Sequence, residues 1–349
     1  MISVHNRFTG GNIRVLSVEG DHVYLENEQR DSLCGWFYWA FCVEGAQGRE
    51  LTFHITPNWL GYFGPAVSCD LENWHWHNQV ADNTFTYRFA DDETKVYFAH
   101  DMLYHPARFF RFARERGLAL DTLCIGHKGK REVPCFSIGE GKTSIILAAR
   151  AHCCEATGSY VLEGVLDELL ARPIPDSRIF CVPFIDYDGV IDGDQGKERG
   201  PHDHNRDYGP EIYPEVRAIR AYASEHGAHY AFDFHAPGHR GGENDTVYIV
   251  RSSDEKKKAI DRFATLFEEE ITDAAMPFTQ ENSLAYNEGW NLPSANFGHT
   301  MMARPECRLA FTLESTYFGT PDLPVSPARL YETGRAFGRA LSRFIAEQK

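Results

Sequence analysis

No CxxC pair occurs anywhere in this chain, and no uninterrupted apolar stretch approaches the length of a membrane span. The nine cysteines are odd in number and irregularly spaced, which argues for mostly reduced thiols. The start, MISVHNRFTGGNIRV, lacks a basic segment followed by an apolar one. No signal peptide is therefore expected, and the compartment is read as cytoplasmic. Positive charge is scarce: 35 Lys and Arg stand against 50 Asp and Glu, a formal net charge of −15. That excludes broad nucleic-acid or anionic-membrane binding as a partner class. It does not exclude an acidic substrate, because a few local arginines outweigh a distant field at close range. No internal repeat and no low-complexity linker interrupts the chain. What remains is a soluble globular composition, 43% apolar and 24% charged, over 349 residues, enough for one large domain or two ordinary ones.

The chain changes character near residue 115. Before it, VYLEN (23–27), WFYWAFCVEG (36–45), ELTFHIT (50–56), FTYRFA (85–90) and KVYFAH (95–100) are short aromatic and β-branched runs separated by Gly, Asn and Asp clusters. This spacing predicts an antiparallel β-sandwich over residues 1–115. HPARFFRFARERG (105–117) reads as an amphipathic connecting helix. From about residue 120, apolar strand-like runs alternate with helical patterns at 160–171, 213–227, 253–271 and 327–349. Alternation over residues 116–349 predicts an α/β domain, a mixed but largely parallel sheet flanked by helices.

Ligand groups gather at strand ends in such sheets. His152 ends one strand, His235 ends another, and Glu314 lies near the end of a third. A zinc site with an open position for water needs three protein ligands. His152 and Glu155, two residues apart in HCCE (152–155), can be aimed at one ion by a turn, with His235 as the third ligand. A further carboxylate must move protons, and Glu314, apolar-flanked in AFTLEST, suits that task. The long Gly- and Asp-rich segment 186–209 reads as a functional loop. In it, Arg206 can grip a carboxylate through two parallel hydrogen bonds, with Asn205 donating beside it. Arg199 is the expected partner of the oxyanion, with Lys197 as the fallback. Cys153 and Cys154 read as small buried residues, since adjacent strand residues face opposite ways and cannot both join His152 on one ion. Asp233 shares a face with His235 and can orient it.

Taken in order, HCCE (152–155), DYDGVIDGD, HDHNRDY (202–208), DFHAPGH (233–239) and AFTLEST (310–316) resemble the M14 zinc carboxypeptidases. The closest likeness is to the cytosolic carboxypeptidase branch and its bacterial relatives. The resemblance covers nearly the whole chain, including a β-sandwich ahead of the catalytic domain. It implies one zinc ion per chain held by His152, Glu155 and His235. It implies Asn205 and Arg206 on the terminal carboxylate of a peptide or protein substrate, Arg199 on the oxyanion and Glu314 as base. The family often has DLNR where this chain has HDHNR, so His202 and His204 add imidazoles near the site. The family's active-site tyrosine has no clear counterpart, and Tyr286 is the candidate.

The branch often removes acidic residues, especially glutamate, which requires a basic pocket group; Arg304 and Arg308 are the candidates. Two rival readings stand beside the peptidase. One is a zinc amidohydrolase of the desuccinylase and aspartoacylase type acting on N-acyl amino acids. In that type the extra β-domain follows the catalytic core, whereas here the sandwich precedes it. The other is a non-catalytic binder of C-terminal carboxylates.

Overall fold

From Thr143 to Glu314 the chain repeatedly writes apolar runs that have no polar alternation, the pattern of strands buried on both faces. In the computed structural model, which describes residues 2–348, these runs build one seven-stranded sheet. Its order is Asp121–Ile125, Glu132–Ile138, Ser177–Val182, Thr143–Ala149, Tyr230–His235, Leu309–Glu314, Tyr248–Arg251. The four central strands run parallel, and antiparallel strands close both edges. The sheet is therefore mixed and parallel at its centre, as the alternation predicted. The helices Ala156–Ala171, Pro214–His226, Lys257–Glu270 and Pro327–Glu347 accompany it. The expected terminal helix reached Lys349, which lies outside the described residues.

Parallel pairing sets the edge where the candidate site residues meet. Tyr230–His235 and Leu309–Glu314 pair in register, so His235 lies beside Glu314 at their shared C-terminal ends. Thr143–Ala149 pairs on the other side of Tyr230–His235, and the turn after it carries His152. The helix Ala156–Ala171 comes close to this edge because residue 158 is glycine. A Cβ there would meet Phe234 O at 2.6 Å.

Ahead of this sheet, the strands from Ser3 to Ala99 form a five-stranded and a four-stranded sheet. Their shared core is aromatic, with Phe41, Phe53, Phe85 and Phe98 all buried. Strand Glu50–Thr56 shows the alternation of a sheet with one buried face. The sandwich is not wholly antiparallel, because His22–Glu26 and Glu50–Thr56 pair in parallel. The helix Pro106–Glu115 follows it. Among the elements the sequence reading did not mark, two show why. Strand Arg14–Glu19 is exposed along most of its length, so no buried periodicity marks it in the sequence. The start of the 186–209 segment is a short helix, Tyr187–Asp192. The Asp186 carboxylate caps it by accepting the Gly189 N–H, and Gly193 ends it in a left-handed conformation.

Candidate metal centre and cleft

Strand Thr143–Ala149 ends at Arg150, which sits at φ 62°. The Arg150 guanidinium donates back to Cys153 O at 2.7 Å, and this closes the turn. His152 and Glu155 thereby face one point. Glu155 precedes the helix Ala156–Ala171 but makes no side-chain capping bond, so its carboxylate is free for the imidazoles. His152 Nδ1 lies 2.8 Å from Glu155 Oε1, and His235 Nδ1 lies 2.7 Å from Glu155 Oε2. The two Nδ1 atoms are 3.1 Å apart. All three residues are buried.

The outward nitrogens decide what the inward ones can do. Asp233 Oδ2 is 2.6 Å from His235 Nε2, and Asp203 Oδ1 is 3.5 Å from His152 Nε2. A carboxylate beside Nε2 favours the proton there and leaves the Nδ1 lone pair pointing inward. Two inward-facing ring nitrogens and one carboxylate then converge on one point. That donor set suits a divalent transition metal with mixed nitrogen and oxygen ligands. Burial disfavours the charged His235 ring, yet Asp233 and Glu155 outweigh it and raise its pKa well above the ordinary value. Burial likewise opposes ionisation of Glu155, but His152, His235 and Lys197 hold its pKa well below the usual carboxylate range.

Cys153 and Cys154 turn away. The Cys153 thiol donates to Asp194 O at 3.2 Å. Burial pushes both thiols far above the usual thiol pKa.

The cluster forms one end of a cleft of ≈ 300 Å³ that also takes in Lys197, Asn205, Arg206 and Glu314. Burial raises the Glu314 pKa to about 7, with His235 opposing and Glu155 adding. Its Oε2 is buried with no hydrogen-bond partner. Asn205 accepts the Phe297 N–H at 3.0 Å and lies 3.3 Å from His235 Nε2. Among the described residues, Arg206 bonds only to the carbonyl of Asn205, at 3.1 Å. Asp203 and Asp207, the obvious partners for an internal salt bridge, are engaged by His152 and His202 instead. The Arg206 guanidinium therefore faces the cleft able to take a carboxylate.

Six candidate residues place differently. Arg199 is not in the cleft. Its guanidinium is buried against Asp31, Asp186 and Asp194. Lys197, the fallback, is the residue that reaches the centre: its Nζ lies 3.5 Å from Glu155 Oε1. His202 and His204 do not line the cleft either. His202 pairs with Asp207 at 2.6 Å, and His204 stacks on Tyr213 with ring centroids 4.0 Å apart. Arg304 is spent on Glu306 and Ala223 O. Arg308 precedes Leu309, at the far end of the strand that finishes with Glu314. Tyr286 packs against His299 rather than into the cleft.

The sequence reading missed Trp36 and Asp31. Trp36 lines the cleft from the N-terminal region, and its ring lies 5.0 Å from Lys197 Nζ. The aromatic run WFYWAFCVEG suggested only a strand, whereas Trp36 stands in the loop before Ala40–Glu44. A second group of ligating side chains, His127, His204 and Glu215, lies behind the loop. There Arg199 Nη1 sits 3.0 Å from His127 Nε2. The ring nitrogen and the guanidinium thus already pair, while both His204 ring nitrogens are buried without a hydrogen bond.

Residues 4–100 match the family model described as the cytosolic carboxypeptidase N-terminal domain. The chain is 27% identical over 259 residues to an uncharacterized protein of Zymomonas mobilis, covering 67% of each. It is 26% identical over 201 residues to cytosolic carboxypeptidase 2 of Xenopus tropicalis, covering 48% of this chain and 20% of that protein. The chain thus spans a minor part of that relative's length. The fold is that of a metallo-carboxypeptidase from Burkholderia cenocepacia, with a TM-score of 0.83 at 18% identity over 100% of both chains. The chain is thus similar to a cytosolic carboxypeptidase in sequence, carries that family's N-terminal domain over residues 4–100, and shares the metallo-carboxypeptidase fold.

Proposed function

We propose that this protein is a zinc-dependent carboxypeptidase that removes the last residue of a peptide or protein chain. Two units carry it, residues 1–115 and 116–349. The observation that carries the reading is the meeting, at one strand edge, of three inward-facing ligand atoms with an unpartnered buried carboxylate. Arg206, free of a carboxylate partner, faces the same cleft.

His152, Glu155 and His235 would hold the metal. Zinc bound there would supply a Lewis acid and bring the pKa of a water down to about 7. Arg206 and Asn205 hold the substrate's terminal carboxylate, which makes the last peptide bond the one within reach. Glu314 takes a proton from the attacking water as its oxygen bonds to the carbonyl carbon. Burial raises the affinity of Glu314 for a proton, which suits both this step and the next. Lys197 stabilises the oxyanion as charge develops. Burial disfavours its ammonium, but Glu155, Glu314 and Asp203 outweigh this and raise its pKa, so the charge is in place. Glu314 then returns the proton to the leaving amine as the C–N bond breaks.

An acidic side-chain preference has no support from Arg304 or Arg308. The cations of the cleft are Lys197 and Arg206. No helix is long and apolar enough to cross a membrane among the described residues, and the nine cysteines are free. A cytoplasmic compartment fits the free thiols.

The test is a library of peptides with varied C-termini, treated with zinc-loaded protein and read by mass spectrometry. Glu314→Gln should keep zinc and lose turnover by about 10²–10⁴-fold, the usual worth of a general base. Full activity in that variant would remove Glu314 from its role. Release of no residue from any peptide by the parent protein would remove the activity itself.

A further inference from the structure

We propose that Asp31, in the N-terminal domain, is a positioning residue for Lys197. Through its ion pair with Arg199, the N-terminal domain would then complete the oxyanion site of the catalytic domain. The inference rests on the reading of Lys197 as the oxyanion group.

Segment 194–203 has no helix or strand of its own to stiffen it. Gly196 at φ 72° and Glu198 at φ 47°, the two neighbours of Lys197, both lie in the left-handed region. Such a segment holds one conformation only if its surroundings impose it. The imposing contacts come from residues 28–38, before strand Ala40–Glu44. Asp31 Oδ1 accepts the Gln195 N–H at 2.8 Å, and Oδ2 accepts the Gly196 N–H at 2.9 Å. The same Oδ2 accepts Arg199 Nε at 3.1 Å and Nη2 at 2.8 Å. One carboxylate therefore grips the loop on both sides of Lys197.

The rest of the clasp is built the same way. Gln195 Nε2 donates to Glu28 O and Tyr38 O, both at 2.9 Å, and its Oε1 accepts the Tyr38 N–H at 3.0 Å. Leu33 N–H donates to Glu198 O at 3.1 Å. On its far side Arg199 Nη2 donates to Asp186 Oδ2 at 2.6 Å, which ties the clasp to the catalytic sheet. The loop also presses on the metal-binding turn: a Cβ on Gly196 would meet Cys153 N at 2.4 Å. Lys197 extends from this clasp into the cleft, over the Trp36 ring.

This arrangement explains why a buried arginine stands two residues from the lysine. Its guanidinium is used up in fixing the loop, and the lysine is left to meet substrate. A flexible ammonium needs such a frame more than a planar guanidinium does. Preorganised donors stabilise an oxyanion only when they are held in place before charge develops.

The test compares zinc-loaded Asp31→Asn, Lys197→Met and the double variant with the parent enzyme on one peptide. Lys197→Met should lower kcat by about 10²–10³-fold, as loss of an oxyanion donor does. Asp31→Asn should lower kcat by about ten-fold or more, a fraction of the loss of the donor itself. KM and zinc content should not move, and amide hydrogen exchange at Gln195 and Gly196 should rise. The double variant should be no slower than Lys197→Met, because Asp31 acts through the lysine. Losses that multiply in the double variant would overturn the positioning role. So would full kcat in Asp31→Asn beside an impaired Lys197→Met. Full kcat in Lys197→Met would instead overturn the reading of Lys197 on which this rests. If Asp31→Asn does not fold, Gln195→Ala removes a different part of the clasp and is judged by the same three comparisons.

Discussion

Asp233 and His235 stand two residues apart on one extended strand, and the Asp233 carboxylate lies 2.6 Å from His235 Nε2. The strand's two-residue period puts both side chains on one face. The pair fixes which ring nitrogen carries a proton and which turns toward Glu155. Removing the carboxylate should weaken metal binding without removing a ligand. Asp233→Asn is expected to lose zinc affinity by about 10–100-fold, measured by competition with a chelator. Activity should return at saturating zinc. Unchanged affinity would show that His235 is held by its packing alone.

Arg206 offers a second check, on substrate rather than metal. Its guanidinium has a backbone carbonyl as partner and otherwise faces the cleft. Hydrogen bonds to charged groups are worth about 1.5–3 kcal/mol. Arg206→Gln should therefore raise KM by about 10–100-fold for peptides with a free C-terminus. Peptides amidated at the C-terminus should be poor substrates for the parent and lose little more in the variant. Equal losses on both peptide types would mean that Arg206 supports the fold rather than the carboxylate.

The contrast between Arg199 and Lys197 marks how far the sequence could be read. Strand ends are legible, because buried parallel strands are apolar runs and a polar residue at their end stands out. His152, His235 and Glu314 stand out in this way, and pairing in register brings the last two side by side. The change of strand pattern is legible for a similar reason, as period-two runs before about residue 115 give way to strand-helix alternation after it. A loop offers no such rule. Nothing in GKERG says which cation faces the cleft, because the answer lies with Asp31, 168 residues away from Arg199. The helix Tyr187–Asp192 was hidden by its Gly and Asp content, although Asp186 and Gly193 are its cap and its stop. Exposed strand Arg14–Glu19 carried no burial signal at all.

The two longest helices give a stability prediction. Ala156–Ala171 and Pro327–Glu347 pack through glycines. A Cβ on Gly164 would meet Tyr331 O at 2.0 Å, and one on Gly334 would meet Val161 O at 1.9 Å. Alanine normally favours a helix over glycine by about 1 kcal/mol. Here the backbone contact must open, and overpacking of this kind costs about 1–3 kcal/mol or more. Gly164→Ala and Gly334→Ala should each lower the melting temperature, against the trend of helix propensity. A rise in either would mean that the helices separate without penalty.

Asp101 gives the pH dependence. It is fully buried, and neither carboxylate oxygen has a hydrogen-bond partner. Burial pushes its pKa up to about 7, with Arg150 holding it back. His100, whose Nδ1 is 3.9 Å from Asp101 Oδ1, is driven down to about 3 by burial and stays neutral above that. In the unfolded chain the Asp101 carboxyl titrates at about 3.9. Between about pH 4 and pH 7 the folded state therefore holds a proton that the unfolded state has lost. The unfolded state binds fewer protons there, so this group lowers stability as pH rises through that window and adds no further change above it. The full span is worth on the order of 3–4 kcal/mol. Asp101→Asn removes the charge and keeps the shape. Its stability advantage over the parent should grow from about 1 kcal/mol at pH 5 to a few kcal/mol at pH 8. Thermal melts of both proteins across that range measure it directly. An advantage independent of pH would mean that Asp101 is ionised in the fold throughout, with Arg150 as its counter-ion.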